Sequence, residues 1–82
     1  MSFCVYILLC TDGSFYTGYT KDLDARTRLH QNGSGARYTR AHKPKKLAYV
    51  ELLDSRSAAM KREREIKKLS HQQKLALVGS QT

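Results

Sequence analysis

The 82-residue chain predicts an α+β fold, a small three-stranded antiparallel sheet flanked by helices in the order β-β-α-β-α-α. Three observations carry that expectation. Two short apolar runs near the N-terminus flank a Thr-Asp-Gly-Ser turn, a third apolar run, LAYVELL, occupies 47–53, and segments of helical periodicity follow the second and third runs. No strand-helix-strand repeat is present, so an antiparallel or mixed sheet is expected. The length suits one domain, residues 1–82, with a single modest core.

Residues 3–10 read as the first strand, with Phe3, Val5, Ile7 and Leu9 on one face and Cys4, Tyr6, Leu8 and Cys10 on the other. A second strand follows at about 15–20. A two-residue Asp12-Gly13 loop would pair Leu9 with Tyr16 and put Tyr6 and Tyr16 on opposite faces. A three-residue loop, Thr11-Asp12-Gly13 with Gly13 left-handed, would pair Leu8 with Tyr16 and Tyr6 with Gly18. The second register is preferred, because it gathers Val5, Ile7, Leu9, Phe15 and Tyr19 onto one apolar face. It also places the two tyrosines together beside Gly18, whose missing side chain permits a close approach to the backbone.

From Asp22 to Asn32 the pattern is helical, with Thr20 or Asp22 as N-cap and Gly33 just past the end. A Gly-Ser-Gly-Ala connector at 33–36 leads into the basic and aromatic stretch ARYTRAHKPKK, expected to be loop through Pro44. The third strand is 47–53. A helix is expected from about Ser57 to Leu69, capped by Ser55 or Ser57, and Ser70 with Gln73 reads as a capping box opening a short last helix that ends before Gly79.

Fifteen Lys and Arg against seven Asp and Glu give a net charge of +8, which favours a polyanionic partner, nucleic acid first among them. The longest apolar stretch is far below a membrane span, and no signal-peptide pattern opens the chain, so a cytoplasmic protein with no membrane partner is expected. Cys4 and Cys10 lie about 20 Å apart along one strand, too far for a disulfide, and read as reduced thiols. His30, His42 and His71 are scattered, and no zinc site is expected.

Glu63 lies about 40° from Ala59 and about 60° from Ile66 on a helical projection, at the edge of the buried stripe. It either pairs with Lys67 one turn on or serves as a hard-metal ligand. Arg26 is a surface charge or a fork-shaped phosphate donor, and His30 follows it on the same helix face. In the basic segment, Arg37, Tyr38, Arg40, Lys43, Lys45 and Lys46 have the composition expected for phosphate contacts and base stacking, with a solvated loop as the plain alternative.

Cys4-Val5-Tyr6 and Tyr16-Thr17-Gly18, with their tyrosines ten residues apart, together resemble the GIY-YIG nuclease signature. Arg26 follows Gly18 by eight residues, and His30 and Glu63 come near where that family has its histidine and glutamate. Cys4 stands where the first motif has glycine. The resemblance spans nearly the whole chain and is greatest to the small single-domain bacterial members, which carry similar GARYTR and REREIKKL stretches. It implies a catalytic set of Tyr6, Tyr16, Arg26, His30 and Glu63. In it, Tyr6 is the general base, Tyr16 orients the water or the phosphate, Arg26 and His30 stabilise the phosphorane, and Glu63 holds Mg2+ or Mn2+. Gly18 belongs with the nucleic-acid-binding residues.

The function expected on that basis is a metal-dependent endonuclease acting on DNA, non-specific, single-strand or structure-selective, with RNA as a further candidate substrate, in repair or DNA turnover. Such a small chain would take its specificity from substrate shape, a protein partner or a homodimer. The competing expectations are a nucleic-acid-binding module with a vestigial site, and an interaction domain whose basic face meets an acidic partner.

Overall fold

The computed structural model describes residues 2–26 and 42–80. The first strand, β1 (Phe3–Cys10), lies at the centre of a sheet ordered β2-β1-β3, antiparallel throughout, with β2 at Phe15–Thr20 and β3 at Pro44–Leu53. Val5, Tyr6, Ile7, Leu8 and Cys10 are all at most 1% exposed, so β1 is buried on both faces, which is why its sequence is continuously apolar.

The β1–β2 hairpin has the three-residue loop. Leu8 pairs with Tyr16 and Tyr6 with Gly18, the Cys10 amide donates to the Ser14 carbonyl at 2.8 Å, and Gly13 has φ +85°. A residue with a Cβ is strained at that angle, and glycine is not. The Ser14 amide and hydroxyl both donate to Asp12 Oδ1, and His42 Nδ1 lies against Asp12 Oδ2. These contacts, the Ser14 hydroxyl foremost, hold the Asp12 carboxyl well below the usual range.

After β2, the chain enters helix α1, helical over the described residues 23–26. Of the two possible caps, Asp22 is the N-cap: its Oδ1 accepts from the Ala25 amide at 3.1 Å. Thr20 Oγ1 instead fixes the entry, accepting from the Asp22 amide at 3.1 Å. The remainder of the expected helix to Asn32, the connector 33–36 and the basic segment up to 41 lie outside the described residues.

β3 departs from expectation at its start. It begins at Pro44, which pairs with Cys10, and register irregularities interrupt the β1–β3 ladder beyond Ile7 and Leu9. Proline is tolerated there because β3 is an outer strand and Pro44 is its first residue. The helix α2 (Arg56–Lys67) is capped by Ser55, whose side chain accepts from the Ala58 amide, and ends two residues before Leu69. The capping box of Ser70 and Gln73 opens α3 (His71–Gly79), whose last residue is the glycine expected to lie outside it.

The core sits on one face of the sheet, where Val5, Ile7 and Tyr49 meet Ala59 and Ile66 of α2, with Phe15, Tyr19, Leu77 and Val78 around them. Leu9 stands outside this cluster. Complete burial of a side chain such as Ile66 contributes about 1.5–3 kcal/mol. The Tyr49 hydroxyl donates to Glu51 Oε1 at 2.6 Å, and Arg62 Nε donates to the same oxygen at 3.1 Å, tying α2 to β3 beside the core.

Thr17 Oγ1 is buried on the core face with no hydrogen-bond partner among the described residues. Replacing it with the near-isosteric apolar side chain removes that desolvation cost. Thr17→Val is therefore expected to raise the unfolding free energy by about 1 kcal/mol, read from the urea midpoint at an unchanged slope.

Candidate active site

The hairpin register brings Tyr6 and Tyr16 to the same face with ring centroids 6.3 Å apart and planes inclined at 44°. Gly18 makes this possible. A Cβ built on it would lie 2.6 Å from Tyr6 Oη and 3.2 Å from Tyr16 Cε2, so the space of the absent side chain is taken by the phenol of Tyr6. The close approach expected from the sequence is thus made by the tyrosine paired with that glycine.

Tyr6, Tyr16 and Gly18 line a cleft of about 390 Å³, together with Arg26 and Glu63. Phe3 and Tyr19, from the core face of the sheet, also line it. Arg26 arrives by way of the Asp22 cap, its amide donating to the Asp22 carbonyl at 3.2 Å. Glu63 arrives from the middle of α2, where Ala59 and Ile66 are anchored in the core on an adjoining side of the helix.

Glu63 makes the expected lysine contact and also reaches the cleft. Its carboxylate lies 3.4 Å from Lys67 Nζ, one turn on, yet it is only 17% exposed and lines the cleft. It is the one carboxylate among the described lining residues, and no group of three or more His, Cys, Asp or Glu side chains converges among the described residues. A hard cation such as Mg2+ is commonly held by one or two carboxylates, with water and substrate phosphate completing its shell. The oxygen donors here fit that pattern with Glu63 as the protein's carboxylate.

Burial dominates the acid-base behaviour of the two phenols. It pushes Tyr6 well above the ordinary tyrosine range, with Tyr16 and Glu63 acting in the same direction and Arg26 against them. Tyr16 is raised by burial and then by Glu63, again opposed by Arg26. The cleft therefore keeps both phenols neutral unless further positive charge enters it.

The other candidates divide. His30, Arg37, Tyr38 and Arg40 lie outside the described residues. Lys43, Lys45 and Lys46 are exposed but do not line the cleft: they stand at the opening of β3, which pairs with Leu9 and Cys10 at the turn end of the hairpin. Three to four residues of strand, roughly 10–13 Å, separate that level from Tyr6. Two further cations do line the cleft, Lys21 just beyond β2 and Arg56 at the first position of α2. The sequence held a signal for Arg56, since it precedes Glu63 by seven residues, two helical turns, and so falls on the same side of the helix.

A model of the GIY-YIG catalytic domain matches residues 2–76, and the chain belongs to that family, a nuclease superfamily whose members generally use divalent metals. A UPF0213 protein of Staphylococcus saprophyticus is 51% identical over 75 residues, 92% of each chain. Among solved structures, the solution NMR structure of a UPF0213 protein from Bacillus halodurans is 47% identical, with a TM-score of 0.61 over 96% of this chain and 84% of that one. The solution NMR structure of a protein from E. faecalis is 40% identical, with a TM-score of 0.67 over 98% of this chain and 85% of that one.

Two expectations follow from the cleft. Gly18→Ala forces the Tyr6 phenol from its place, which is expected to shift the Tyr6 ring resonances in the NMR spectrum and cost about 1–3 kcal/mol, the sheet signal in far-ultraviolet circular dichroism being retained. The second concerns pH. An unfolded phenol ionises near pH 10, whereas Tyr6 and Tyr16 hold their protons to higher pH in the folded chain. Their contribution to stability is complete below about pH 10 and is lost as pH rises through the raised folded values. Tyr6→Phe is expected to flatten the alkaline fall in stability and to remove one late ionisation from the tyrosinate absorbance titration.

Proposed function

We propose that the protein is a divalent-cation-dependent endonuclease that hydrolyses DNA phosphodiesters, using Mg2+ or Mn2+, in repair or turnover of DNA in the cytoplasm. One observation carries the reading: Tyr6, Tyr16, Arg26 and Glu63, drawn from two strands and two helices, line one cleft. A net charge of +8 supports a polyanionic substrate, and free Cys4 and Cys10 accord with a reducing compartment.

Tyr6 Oη, as the phenolate, takes the proton of the attacking water while the water oxygen bonds to phosphorus and the P–O bond to the leaving strand breaks. Tyr16 orients that water or the phosphate, and the Arg26 guanidinium donates to the phosphate oxygens, where charge develops at the phosphorane. Glu63 holds the cation, which when bound offsets the phosphate charge and lowers the proton affinity of nearby phenols. Tyr6 needs that help, because burial works against a phenolate at neutral pH. Arg26 supplies part of it from the protein. His30 has the second donor role that the family resemblance implies. Selectivity comes from substrate shape, from a protein partner or from a second copy of the chain.

The deciding experiment is cleavage of supercoiled, single-stranded and branched DNA, and of RNA, with Mg2+ or Mn2+. Wild type is expected to nick in a cation-dependent manner, and Glu63→Ala to lose at least about a hundredfold in rate, as for removal of one strong transition-state contact. Cleavage that survives both Glu63→Ala and excess chelator overturns the assignment. Salt-sensitive binding without cleavage under any cation identifies a nucleic-acid-binding module instead.

A further inference from the structure

The charge balance of the cleft exceeds what one phosphate requires. Lys21, Arg26 and Arg56 line it against the single carboxylate Glu63, which already faces Lys67 at 3.4 Å. None of the three lining cations forms an ion pair with another described residue, whereas Arg62, outside the cleft, is committed to Glu51 and Glu65. All three are exposed cations, and their positive charge suits an anion held in the cleft.

The cations are also distributed. Arg26 sits one turn into α1, Lys21 leaves the end of β2 beyond the buried Thr20, and Arg56 opens α2 two turns before Glu63. At about 30 Å³ per water molecule, a cleft of 390 Å³ has the volume of about a dozen waters, more than the five heavy atoms of one phosphate occupy.

We infer that Lys21 and Arg56 form a second phosphate subsite, holding the phosphate next to the scissile one on the same strand. The inference rests on the nuclease reading for the meaning of "scissile" but not for the binding itself. It identifies the substrate class as a polynucleotide strand with consecutive internal phosphates, and sets it apart from mononucleotide esters. Arg26 serves the reacting phosphate, and Lys21 and Arg56 fix the strand's position.

The test uses Arg56→Gln and Lys21→Gln, with Lys61→Gln as a control of equal charge on an exposed position across α2 from Glu63. Binding of a fluorescein-labelled single-stranded oligodeoxynucleotide is followed by anisotropy against salt in the presence of chelator. Hydrolysis of the same strand is compared with that of bis(p-nitrophenyl) phosphate, which has a single phosphodiester, in Mg2+ and Mn2+.

Each subsite variant is expected to lower the slope of log K against log salt by about 0.7 and to weaken binding roughly tenfold, with Lys61→Gln near wild type. On the strand, KM rises while kcat stays within about twofold, and the aryl ester is hydrolysed as by wild type. An unchanged salt slope and KM in both subsite variants overturn the inference, as does an equal loss on the aryl ester. A wild type that hydrolyses neither substrate while the subsite variants lose salt slope overturns the nuclease reading and leaves the second phosphate site standing.

Discussion

The register of β1 against β2 is the constraint on which the cleft depends. Side chains alternate along a strand, so a slip of one residue would carry Tyr16 away from Tyr6 and turn Gly18 from the phenol it accommodates. That register is fixed at the turn. Gly13 adopts φ +85°, Asp12 receives both Ser14 donors, and the loop is held from two further directions. His42 reaches Asp12 from the approach to β3. From the first residue of α3, His71 lies 3.0 Å from the Gly13 carbonyl and stacks on Phe15 at 5.0 Å. The cleft runs along β2 from Tyr16, one residue past the turn end, to Lys21, and the register set at the turn is carried to it through the ladder.

A phenol suits the position that results. A carboxylate buried where Tyr6 lies would carry a desolvation cost of several kcal/mol, or would remain protonated. Tyr6 packs as an aromatic ring against Tyr16 and over Gly18 while bringing one polar atom to the cleft. The same burial that makes the ring part of the fold holds its proton tightly. Burial thus favours the fold and opposes the phenolate, and charge in the cleft shifts the balance: Arg26 favours the phenolate, Glu63 disfavours it.

Much of this was legible from residue order. The first two strands have the expected limits, because alternation, a turn dipeptide and a glycine that requires positive φ all point to one register. The Ser70–Gln73 box was legible because it is a local hydrogen-bonding pattern. The failures were tertiary. Pro44 reads as a strand breaker and instead begins an outer strand, which depends on where the sheet places its first residue. Leu9 fits the alternation but stands outside the core cluster. Lys43, Lys45 and Lys46, expected among the nucleic-acid-binding residues from their shared basic run, stand at the opening of β3 and not in the cleft lining. Arg56 and Lys21 were not singled out, although Arg56 shares the helical side of Glu63. Proximity along the chain was a poorer guide than position on a helix or level in a ladder.

Glu63 shows how one residue can combine a lysine pair with a place in the cleft. An exposed i, i+4 pair with lysine contributes only about 0.3–0.5 kcal/mol, and Lys67, at 52% exposed, loses little if it is displaced. Such a pair does not compete seriously with a divalent cation for the carboxylate. It does place a compensating charge beside Glu63 at the edge of the core, where Ala59 and Ile66 fix the rotation of the helix. The helix is thus indexed by its apolar contacts, the carboxylate follows from that indexing, and the lysine offsets its charge. The lysine pairing that made Glu63 look structural is compatible with its serving as the ligand of an exchangeable cation.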